Sequence, residues 1–195
     1  MSEISKDEAL AALAAADESQ RRASSLHAYR INAPIVMLWG VLWMIADLTI
    51  AYGPQPLAYR WTWPAVSLIG MALSAAYFWK RGKGAIRVTE RPRSRSFFWR
   101  MLATWVCNLT AISLAFVVFA PIEWREPHTF WGLVIALGYT VSGIWTGARL
   151  VVLGLVLGAL VMFAHFNLQG QAFLAFMGVV CGGSMILGGL WLRKA

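Results

Sequence analysis

Charge is scarce in this chain. Charged residues make up 13% of 195 positions, about half the share of an ordinary soluble domain. Hydrophobic residues supply 59%, and the mean hydropathy is +0.60. A water-soluble fold of this length could not hide so much apolar surface, so water as the sole solvent is excluded. Cysteine is scarce too. Cys107 and Cys181 both fall inside apolar runs. That excludes a disulfide framework or a cysteine-ligated zinc site and leaves two small buried hydrophobes. The first 30 residues lack an early apolar stretch, so no secretory signal is expected.

What the chain has is long apolar blocks. Six run roughly over residues 33–52, 61–79, 98–120, 130–145, 150–166 and 172–192. Most are near the ~20 residues that carry a helix across a bilayer. Helices satisfy their own backbone groups in lipid, whereas barrel strands would alternate in polarity, and these runs do not. The expected fold is an all-α bundle of six transmembrane helices. Only Thr146 to Arg149 separate the fourth and fifth runs, which forces a tight helical hairpin. The expected division is a cytoplasmic segment over 1–32, the membrane domain over 33–192 and a tail over 193–195. The segment holds a short amphipathic helix over 5–22. Ser5 and Glu8 form its capping box, with acids early and Arg21 and Arg22 late, as the helix dipole prefers.

Net charge is +8 and the isoelectric point about 10.1. Nucleic acid need not be invoked. With the N-terminus inside, 15 basic residues fall in cytoplasmic segments and only Arg60 and Arg125 outside. That asymmetry orients the thread with both termini in the cytoplasm. Tryptophans mark both interfaces: Trp61, Trp63, Trp124 and Trp131 outside, and Trp79, Trp99, Trp145 and Trp191 inside. Each two-helix unit begins at an arginine (Arg30, Arg100, Arg149) and closes on a tryptophan (Trp79, Trp145, Trp191). Three copies of a hairpin would give this pattern, and so would interface preferences alone. A basic loop over 80–97 continues to Arg100. It is expected to lie on anionic headgroups, or to dock an acidic partner.

Lipid gives helices no hydrophobic reason to associate, so small residues must let backbones approach. Gly154 and Gly158 form one GxxxG pair, and Gly178 and Gly182 another. The last two helices are expected to pack most tightly, against each other or across a homodimer.

Ionisable residues in lipid are the candidates for function. Asp47 lies about 14 residues into the first span, ~21 Å from its inner end. It shares a face with Gly40 and Trp43. His165, seven residues after Gly158, is expected at similar depth. With Arg60, Glu123, Arg125 and His128 they gather near the outer surface. Three uses compete: a network tying helix ends together, a solute entrance or proton relay, and a metal or haem site on the two histidines. Spacing gives no support to the metal, so no cofactor is expected. Nor does any nucleophile sit beside a histidine, and no catalytic residue is assigned. Thr104 and Asn108 lie mid-membrane, suited to hydrogen bonds between helices.

The stretches GIWTGARLVVLGLVLGALVMF, CGGSMILGGLWLRKA and MLWGVLWMIADL resemble uncharacterised bacterial multi-pass inner-membrane proteins. That resemblance implies a bacterial inner-membrane location and transfers no residue role. The expected function is a non-enzymatic accessory, sensory or structural membrane component. It would act through helix packing and a cytoplasmic surface, with an unidentified membrane or cytoplasmic protein as partner. The alternative is a small-solute or ion transporter or channel subunit using the outer polar cluster.

Overall fold

The structure, a computed structural model, describes residues 6–54, 57–85 and 125–194, with the side chains of Arg21, 57–59, 82–85 and Arg125 left aside. All its regular elements are helices. They are α1 (Lys6–Tyr52), α2 (Leu57–Ala85), α3 (Arg125–Thr146), α4 (Ala148–Asn167) and α5 (Gly170–Arg193). Within α5 the six residues Met177–Gly182 are wound as π-helix. Four helices, α1, α3, α4 and α5, are long and apolar enough to cross a membrane. α2 contains the expected second span but is not among the four. Three indoles, Pro64 and several small polar residues dilute its apolar run. The expected third span, over 98–120, lies outside the described residues, as does most of the basic loop.

The short N-terminal helix is no separate element, because α1 runs unbroken for 47 residues, about 70 Å at 1.5 Å per residue. Between Arg22 and Ala33 there is no glycine or proline to stop it. Pro34 lies inside the helix, where it removes one backbone donor without ending the run. Every described side chain from Lys6 to Ser24 is exposed, whereas buried residues recur from Tyr29 onward.

The described helices run between two ends, with α2 and α3 pointing the same way. At one end Tyr77 of α2 donates its hydroxyl to the Ile31 carbonyl of α1 at 3.3 Å. There too the Arg149 backbone N–H donates to the Tyr29 hydroxyl at 3.3 Å, and the Arg149 guanidinium to the Trp191 carbonyl at 2.9 Å. At the other end Asp47, Trp63, His128 and His165 lie close together. The expected tight hairpin is present: Gly147 alone separates α3 from α4, at φ 137°, a conformation open to glycine and strained for other residues.

The core lies where α1, α4 and α5 meet. Leu157, Val161, Phe173, Met177 and Met185 are at most 1% exposed. In lipid such burial is cohesion rather than dehydration, with each atom pair worth only ~0.1–0.2 kcal/mol. Close backbone approach therefore matters more. A β-carbon on Gly154 would run into Ala136 and Thr140 of α3. One on Gly178 would meet Asp47 and Met44 of α1, and one on Gly182 would meet Gly40 and Met44. The glycine pairs thus serve α3 and α1. The expected tight contact between the last two helices gives way to these, because each glycine face is turned toward a different neighbour.

Candidate functional site

Asp47 is completely buried. It lies at the fourth position after Trp43, one turn away on the same face of α1. That spacing lets the Trp43 indole N–H donate to Asp47 Oδ2 at 2.8 Å. The Trp63 indole of α2 is a second donor to the carboxylate. Its ring stands edge-on to Trp43, with centroids 6.4 Å apart and planes at 71°. The same indole meets His128 of α3 at 6.4 Å and 69°. On the α5 side Gly178 of the π-wound segment comes against Asp47; a β-carbon there would stand 3.2 Å from Asp47 Cβ. Four helices therefore close around one carboxylate.

The remaining oxygen, Oδ1, accepts no hydrogen bond from the described residues. It faces His128 Nε2 at 3.9 Å, longer than a hydrogen bond. The His128 side chain is 10% exposed. An isolated carboxylate costs roughly 2.5–3.5 kcal/mol at a bilayer centre on insertion scales. Indole donors and a facing imidazole are the groups that reduce such a cost.

The other expected members of the cluster separate into three groups. His165 joins it indirectly, through a 3.0 Å hydrogen bond between its Nδ1 and the Thr129 hydroxyl, the residue after His128. Arg60 does not join: it is exposed, with its guanidinium 5.9 Å from the centre of the Trp61 ring. Arg125 is the first residue of α3. Glu123 lies outside the described residues, as do Thr104 and Asn108, the polar residues expected mid-membrane.

Sequence reasoning missed Trp63, taken there for an interfacial belt residue. Its signal was weak, since only the register of α2 against α1 turns that indole inward. The π-wound segment was missed as well. π-turns inside helices recur at functional sites, and this one lies directly against Asp47. Among the described residues no group of three metal-ligating side chains converges.

No protein family, curated protein or solved structure matches the chain.

Proposed function

We propose that the protein is a six-span component of a bacterial inner membrane, with both termini in the cytoplasm. In this reading it is an accessory or sensory element and not an enzyme. The thread is supported by the position of the helix ends. α2 finishes at the Tyr29 end and α3 starts at the Asp47 end. The sequence between α2 and α3 includes the apolar run 98–120, which we read as a further span. Arg30, Lys80, Arg81, Arg149, Arg193 and Lys194 belong to the Tyr29 end, against Arg60 and Arg125 at the other. The positive-inside rule then makes the Tyr29 end cytoplasmic.

The observation that carries the accessory role is the continuity of α1. One helix bears both the exposed arm, from Lys6 to Ser24, and the buried Asp47. The arm is about 28 Å long. A single continuous helix joins the membrane site to the proposed cytoplasmic surface and so connects the two mechanically. Partners of this arm would be cytoplasmic or membrane proteins, while the basic residues at the same end would rest on anionic headgroups. A photo-crosslinker at Leu13 tests the role in native membranes. Discrete protein adducts that are absent from a lipid-facing probe at Leu68 are expected. Identical, lipid-only adducts at both positions would defeat the reading.

A further inference from the structure

The Asp47 and His128 side chains come from different helices, and both are nearly sealed from solvent. We infer that they hold one exchangeable proton between them, a protonation site built into the bundle where α1 meets α3. The site would bind a hydron and nothing larger. This inference rests on the geometry of the pair and is independent of the accessory role.

The charge states of the pair differ in cost. With no proton the pair carries a net negative charge in a low-dielectric setting, and with two protons a net positive one. Both are penalised by lost hydration. With one proton the pair is neutral overall, and with that proton on Asp47 Oδ1 neither side chain carries a charge. The indole donor at Oδ2 leaves Oδ1 as the oxygen turned to the imidazole. From 3.9 Å, an approach of about 1 Å would complete a direct hydrogen bond. His128 is in the first turn of α3, and its neighbour Thr129 is tied to His165.

The surroundings leave few competing groups. Residues 31 to 46 of α1 carry no charge. α2 presents Trp63, with Arg60 exposed one turn earlier. α3 contributes Glu126, which is exposed, and Arg125 at its start. α4 contributes His165, bonded to Thr129. α5 contributes the buried thiol of Cys181. Among the described residues His128 is the ionisable partner within 4 Å of the carboxylate.

Infrared difference spectra of the full chain in liposomes test the site. Exposed carboxylates have nearly all finished titrating by about pH 6, so a carboxylic-acid band that changes between about pH 6 and about pH 8 reports a buried group. The wild type is expected to show one such band. Asp47→Asn should remove it, and His128→Gln should move its midpoint by about one pH unit or more. Asp47→Glu keeps a carboxyl and should keep a band at an altered frequency, which covers the case where the asparagine variant fails to fold. A wild type without a titrating band overturns the site. So does a band that survives Asp47→Asn, or a midpoint untouched by His128→Gln. Failure here leaves the arm crosslinks unaffected, and missing crosslinks leave the infrared band unaffected.

Discussion

Gly182 of α5 lies against Gly40 of α1 so closely that neither position has room for a methyl group. A β-carbon on Gly182 would stand 2.8 Å from the Gly40 carbonyl oxygen, and one on Gly40 would stand 2.7 Å from the Gly182 carbonyl oxygen. Both obstacles are backbone, which cannot rotate away. Gly182→Ala must therefore separate the two helices, at a cost of about 1–3 kcal/mol. Gly158→Ala is the control, because its new methyl would meet only Ala136 Cβ at 3.6 Å, an ordinary contact. Thermal unfolding in detergent should fall markedly for the first variant and hardly for the second. Equal melting temperatures would refute the packing described for α1 and α5.

Asp47 depends on its indole donors, and the strength of one can be measured against a neutral case. Trp43→Phe removes a 2.8 Å donor to a buried carboxylate, worth about 1.5–3 kcal/mol when the acceptor is charged. Trp39→Phe removes a 3.3 Å donor to the half-buried Ser74 hydroxyl, worth about 0.5–1.5 kcal/mol. Both lose the same ring volume. The Trp43 variant should melt lower in detergent. The reverse order would mean that the carboxylate is held by something other than Trp43.

The legible part of this protein was the part fixed by local spacing. Gly40, Trp43 and Asp47 repeat on one helical face, and the structure puts two of them in direct contact and the third against α5. The Thr146 to Arg149 gap could only be a hairpin. What the sequence hid was of two kinds. The length of α1 was hidden because a change from polar to apolar residues resembles a boundary, although nothing in that stretch breaks a helix. Trp63 and His128 were hidden because their meeting with Asp47 depends on how three helices register, and pairing across helices leaves no mark in residue spacing. His128 was a candidate only through its outer position. Its distance to Asp47 came from the fold.

Gly147 is a point where backbone and packing make the same demand. Its φ of 137° is strained for residues with a β-carbon, and the Tyr29 ring stands where that carbon would go. Gly147→Ala should cost about 1–3 kcal/mol for the backbone alone, with the displaced Tyr29 adding to it. Limited proteolysis of the reconstituted protein should show new cleavage between α3 and α4. An alanine variant as stable and as resistant as wild type would show that the hairpin turns some other way.

Both ends of the thread can be tested by labelling. In a background with Cys107→Ser and Cys181→Ala, single cysteines introduced as Lys6→Cys and Lys194→Cys should react with an impermeant maleimide only from the cytoplasmic side. Arg60→Cys should react only from the other. The assignment comes from 15 basic residues against two, a bias that sets orientation in short loops. Labelling of positions 6 and 194 from opposite sides would leave an odd number of crossings and overturn the six-span thread.

Arg149 separates orientation from packing. Its guanidinium donates at 2.9 Å to the Trp191 carbonyl in the last turn of α5, one of the carbonyls a helix end leaves without an internal partner. The same group lies 5.1 Å from the centre of the Trp191 ring and 5.9 Å from that of Tyr29. A planar guanidinium can face two rings and still donate, whereas an ammonium cannot match that geometry. Arg149→Lys keeps the positive charge, so insertion and orientation should be unchanged. Stability should still fall, by about 0.5–1.5 kcal/mol. In a Trp191→Ala background the ring contact is already gone and the lysine substitution should cost less, giving a coupling of at least about 0.5 kcal/mol in a double-mutant cycle. Additive effects would mean that the Trp191 ring has no share in what Arg149 contributes.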